Sequence, residues 1–159
     1  MQLLARAAER ERVMRKVEGR PVSGKEFFLL LCADNQFCEQ LGRAMLATGR
    51  LETELERYLN ARVPELKIKH ANLGYLIRLL KEHALLEKMR PSLEVLKSQR
   101  NYLAHIIHAL LSDLIEETIL EKSNLLDLGV SISCERAWRL TENLNGLADI
   151  VERENCPHN

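Results

Sequence analysis

Apolar residues recur along most of this chain at the three- and four-residue spacing of amphipathic helices. From Lys25 to about residue 47 the repeat runs through Phe28, Leu31, Cys32, Phe37, Leu41, Ala44 and Met45, which predicts a helix with one face on a core. Thr48-Gly49 marks a bend or break, after which Leu51, Leu55, Tyr58 and Leu59 resume the pattern up to Pro64. Segment 64–72, PELKIKHAN, reads as a polar connection, and Asn72 is placed to cap a short helix over 73–83. That helix carries Leu73, Leu76, Ile77 and Leu80 on one face. Pro91 suits the first turn of a long helix reaching about Lys122. Segment 123–130 reads as a loop, and Ser133 is placed to cap a last helix ending near Glu154. At the front, a helix over about 2–18 stops at Gly19 with Pro21 behind it, and Ser23 can cap the next. Val130–Ser133 is the one candidate strand and is too short to build a sheet. The pattern predicts an all-α helical bundle of five to six helices.

A length of 159 residues suits one domain with a core of its own. The 46% hydrophobic and 29% charged residues are the balance of a folded, soluble chain rather than a disordered one. No run of about 18 apolar residues occurs, so no membrane partner is expected. The opening residues have no apolar stretch of the kind that directs secretion, and a cytoplasmic location is expected. Acidic and basic residues balance at 23 each, which excludes binding of polyanions by bulk charge. Their distribution is uneven. Residues 1–25 hold seven basic and three acidic side chains, a net +4, whereas 110–159 hold four and ten, a net −6. The division expected is a basic N-terminal helix and linker over 1–24 and a helical domain over 25–155. A positive front allows a local phosphate-binding face, and both charged ends also suit plain solvated helix faces.

Cys32, Cys38, Cys134 and Cys156 have no C-x-x-C spacing among them. On one continuous helix Cys32 and Cys38 would point about 240° apart. All four are expected as reduced core thiols, and Cys156 with His158 gives too few ligands for a metal. Gly19 to Lys25 matches the first seven positions of a phosphate-binding P-loop, but Glu26 stands where Ser or Thr should hold magnesium. The segment also follows a charged helix where the loop needs a buried strand, so it reads as a linker.

The chemistry concentrates in PSLEVLKSQRNYLAHIIHALLSDL, residues 91–114. On a helical projection with Leu96 at the origin, Leu103, Ile107, Leu110 and Leu114 all fall within about 40° of it. Arg100 falls at about 40°, inside this stripe, where a pattern-filling sequence would have Leu. A guanidinium there needs a carboxylate, a carbonyl or a phosphate, or the edge of a cleft. Asn101, His105 and His108 share the opposite side, at about 120–180°. This face suits a groove or the same helix of a second copy. Solvated His and Asn with a snorkelling Arg suit the same pattern.

Arg100-Asn101-Tyr102-Leu103-Ala104-His105 resembles the R-N-x-x-x-H form of the R-x(4–6)-H motif of HEPN domains (higher eukaryotes and prokaryotes nucleotide-binding). The helical lead-in before it is also similar, and the resemblance spans about residues 26–150. It implies a HEPN-like helical bundle and a metal-independent endoribonuclease without cofactors, of the kind found in toxin–antitoxin and defence systems. RNA is the implied substrate, and a cognate antitoxin or regulatory protein an implied partner. Arg100 and His105 would be the catalytic pair, with Asn101, Tyr102 and His108 as supporting or substrate-binding residues. An imidazole that titrates near neutrality can move the protons of 2′-hydroxyl attack, and Arg offers paired donors to a phosphate. Arg100 and His105 project about 140° apart on one helix. The resemblance implies that two copies pair and share a composite site in a homodimer. A Tyr two positions after the motif His, common in HEPN toxins paired with nucleotidyltransferases, is replaced by Ile107, so adenylylation of such a tyrosine is not expected. The competing expectation is a non-catalytic HEPN-like nucleotide- or RNA-binding or regulatory adaptor.

Overall fold

In a computed structural model of the chain, residues 24–111 and 126–156 are described, with side chains over 24–104 and 129–156. They form five α-helices: α1 (Gly24–Ala33), α2 (Asn35–Arg62), α3 (Leu73–Glu82), α4 (Arg90–Leu111) and α5 (Leu126–Asn155). A short 3-10 turn, Pro64–Leu66, follows α2, and no strand occurs among the described residues. The fold is all-α. No described helix is long and apolar enough to cross a membrane. The expected helix over 2–18 and the end of the long helix beyond residue 111 lie outside the described residues, as does most of the Gly19–Lys25 stretch.

The helices group into two units, one of residues 1–42 with 102–137 and one of residues 43–101 with 138–159. In the first, Phe27, Leu30, Leu31, Phe37, Leu103, Val130 and Cys134 are buried. Gly129 lies against the Phe27 ring: a Cβ there would sit 3.2 Å from Phe27 Cε2. In the second, Leu51, Leu55, Leu59, Leu73, Leu76, Leu80, Leu93 and Leu144 are fully buried. Burying one leucine side chain is worth about 1.5–3 kcal/mol, so this leucine layer dominates the unit's stability. Arg50 ties α2 to α5, donating to Asp149 at 2.6 Å and Glu152 at 3.0 Å. Asn155 donates to both the backbone oxygen and Oε2 of the buried Glu54, at 3.1 and 3.2 Å.

Five expectations are corrected. The break in the second predicted helix falls at Asp34 and not at Thr48-Gly49. Asp34 Oδ1 accepts from the Phe37 amide at 2.7 Å, restarting the helix as an N-cap does. Thr48 instead folds its hydroxyl back onto the Ala44 carbonyl at 2.9 Å, and Gly49 continues α2. Residues 126–133 are helical rather than loop or strand, and Ser133 is no cap: its hydroxyl donates to the Gly129 carbonyl one turn back. The cysteines are free, but only Cys134 is buried; Cys32, Cys38 and Cys156 are exposed. The break at Asp34 also undoes the projected divergence of Cys32 and Cys38. Cys38 Sγ lies 3.5 Å from the Cys32 carbonyl oxygen, and partial burial together with nearby Cys38 raises the Cys32 thiol pKa. In α1 the projection is off by one position, since Phe27 and Leu30 are buried and Phe28 is not.

Candidate functional site around Arg100 and the 67–72 connector

Residues Arg100 to His105 lie on the continuous backbone of α4. Leu96 and Leu103 are buried, as the stripe requires. Arg100 is held at the edge of that stripe with its side chain 35% exposed. Its Nε is buried without a hydrogen-bond partner, and its Nη2 lies 4.0 Å from Glu52 Oε1. That separation is an ion-pair contact but too long for a hydrogen bond. The oxygen is already engaged, accepting from the Leu73 amide at 2.7 Å. Arg100 therefore keeps an unfilled set of donors next to the start of α3.

The remaining motif residues divide between the two units. Asn101 is half-buried and belongs with Arg100 in the second unit. Tyr102 begins the returning part of the first unit and is 51% exposed. Its hydroxyl accepts from Arg136 Nη1 at 3.1 Å, and the same guanidinium lies 5.4 Å from its ring centroid. The side chains of His105 and His108 lie outside the described residues. In the second unit a groove of about 510 Å³ runs between Pro91 and Val95 of α4 and Glu142 and Gly146 of α5, and neither Arg100 nor Asn101 lines it.

Sequence reasoning passed over the residues that organise the ground beside Arg100. Glu52, Glu56 and Asn60 recur every four positions on α2, so they stack along one face. Asn60 accepts from the Ile68 amide at 2.8 Å and donates to the Ile68 carbonyl at 2.9 Å. Glu56 accepts from the Ala71 amide at 2.6 Å, and Glu52 from that of Leu73. Asn72 completes the series as the expected N-cap of α3, accepting from the Tyr75 amide at 2.9 Å. The connector is thus laid antiparallel along α2 and clamped by its backbone. Ile68 is buried beneath it, and Lys67, Lys69 and His70 are exposed above. Lys67 and His70 have φ of 47° and 54°, a left-handed backbone that side-chain-bearing residues seldom adopt. A row of hydrogen-bonding side chains at period four, facing a nine-residue connection, is the signal that would have revealed the clamp.

Compared with protein-family models, curated proteins and solved structures, the chain matches none.

Proposed function

We propose that this chain is a HEPN-type, metal-independent endoribonuclease whose site is assembled across a homodimer. The observation that carries the reading is Arg100. A guanidinium set into a leucine stripe, with a buried unbonded Nε and no hydrogen bond to its nearest carboxylate, is suited to an anionic ligand. The motif supplies the rest. His105 accepts the proton of a ribose 2′-hydroxyl as that oxygen attacks the adjacent phosphorus. The bond to the 5′-oxygen breaks, and that oxygen takes a proton from the partner's His105. The products are a 2′,3′-cyclic phosphate and a 5′-hydroxyl end. Arg100 neutralises charge on the non-bridging oxygens as it grows in the transition state. A cognate antitoxin or regulator and a place in defence belong to the same reading.

Glu52 favours a second reading, a non-catalytic nucleotide- or RNA-binding adaptor. A carboxylate 4.0 Å from Arg100 partly satisfies the cation without any substrate. One experiment separates the two. Purified wild type, Arg100→Ala and His105→Ala are incubated with single-stranded and structured RNA in EDTA, and ends are mapped. The ribonuclease reading expects cyclic-phosphate ends from wild type and a loss of about 10²–10⁴-fold in His105→Ala. Sedimentation should show a dimer. A strictly monomeric protein, or RNA left intact by wild type, refutes the composite nuclease.

A further inference from the structure

The connector between α2 and α3 displays basic side chains that nothing among the described residues uses. Lys67, Lys69 and His70 are exposed and have no ion-pair or hydrogen-bond partner among the described residues. The α2 carboxylates that grip this segment, Glu52 and Glu56, are turned onto the amides of Leu73 and Ala71 and are half-buried, while one exposed carboxylate, Glu65, precedes Lys67 by two residues. The cationic line continues onto α4. A Cβ on Gly74 would lie 3.8 Å from Lys97 Cδ, which places Lys97 at the first turn of α3 beside Arg100. Lys97 itself pairs with Glu94. The clamp from Asn60 to Glu52 spans eight residue steps of α2, so the gripped segment is about 12 Å long. One exposed aromatic stands in the first turn of α3, three residues past the Asn72 cap. Tyr75 is 41% exposed, and the Arg78 guanidinium lies 4.9 Å from its ring centroid.

We infer that Lys67, Lys69 and His70, with Arg100 at one end and Tyr75 as a stacking platform, form a track for the phosphate backbone of single-stranded RNA. A row of basic side chains beside an exposed ring is the combination that holds single strands without reading sequence. The rigid clamp matters here, because cations held on a fixed backbone lose less entropy on binding than cations on a loose loop. Left-handed residues kept in place by surrounding hydrogen bonds are also the kind of stored strain that accompanies a working surface. The inference rests on the proposed function in taking RNA as the ligand, and it adds where and in what form the strand is held.

The test uses the full chain and a fluorescein-labelled oligouridylate of about 12 nucleotides with 2′-O-methyl sugars, which cannot be cleaved by 2′-hydroxyl attack. Anisotropy titrations across a salt series compare wild type, Lys67→Gln/Lys69→Gln and Tyr75→Ala. The double variant should bind about tenfold more weakly, with a salt slope lower by roughly 1.4, because each phosphate contact contributes about 0.7 on a single strand. Tyr75→Ala should weaken binding about tenfold with the slope unchanged. Thermal melts should match wild type, since these side chains are exposed. Absence of binding, unchanged affinity and slope in the double variant, or binding only to phosphatidylserine vesicles would each overturn the track. RNA cleavage with an unaltered KM in the double variant removes the track and leaves the ribonuclease standing. Slope-dependent binding without any wild-type cleavage does the reverse.

Discussion

Asn60 offers the most direct measurement of what holds the connector. Its amide makes two hydrogen bonds to one residue, accepting from the Ile68 N–H at 2.8 Å and donating to the Ile68 carbonyl at 2.9 Å. Asn60→Ala removes both and leaves two half-buried backbone groups to find water. A net value of about 0.5–1.5 kcal/mol for each bond gives a loss near 2 kcal/mol. For a chain of this length that corresponds to a fall in Tm of roughly 4–8 °C. Asn60→Asp keeps an acceptor for the amide but sets a carboxylate against the Ile68 carbonyl, so it should recover little of the loss. Urea titrations followed by circular dichroism give the stability change, and an unchanged m-value shows that the denatured state is unaltered. Hydrogen exchange at the Ile68 amide should accelerate most in Asn60→Ala, which leaves that N–H without its acceptor. A stability change under about 0.5 kcal/mol in Asn60→Ala, with Ile68 still protected, would refute the clamp.

Three further outcomes follow from other parts of the molecule. Gly49→Ala should raise stability by about 0.5–1 kcal/mol in the same titrations, because Gly49 lies inside α2 with nothing within 4 Å of a Cβ. Leu59→Ala should cost about 2–5 kcal/mol, since that side chain is fully buried in the second unit. Partial burial and Cys38 both raise the Cys32 thiol above its ordinary pKa. The thiolate therefore forms only at higher pH, and the pH profile of Cys32 alkylation, read by peptide mapping, should lie above that of the unfolded chain. The same shift makes the folded state hold the proton longer, so Cys32 reduces stability as pH rises past the unfolded thiol's pKa.

Helix class and core were legible in the sequence because burial imposes a period. Leu96, Leu103 and the Leu73–Leu80 face fall where the spacing puts them. Asn72 was legible as a cap because short polar side chains compete for free amides. The break at Asp34 was not, since Thr-Gly at 48–49 is the stronger breaker by composition while the deciding contact is one carboxylate on one amide. The start of α5 was missed because Gly129 reads as a loop residue, whereas it is small to admit the Phe27 ring. Arg100 was legible as an anomaly inside an apolar stripe. Its environment was not, because Glu52 comes from a helix 48 positions earlier and is oriented by the connector it caps.

The way segment 67–72 is held separates what it looks like from how it folds. Its path is dictated by atoms of α2 that grip main chain, so the identities of Lys67, Lys69 and His70 are nearly free of structural duty. Such a segment can exchange its outward chemistry one residue at a time without renegotiating the scaffold beneath. Related chains that hold a different ligand should differ at these three positions while Glu52, Glu56 and Asn60 stay fixed, and a designer could graft a new recognition sequence there with the frame already in place.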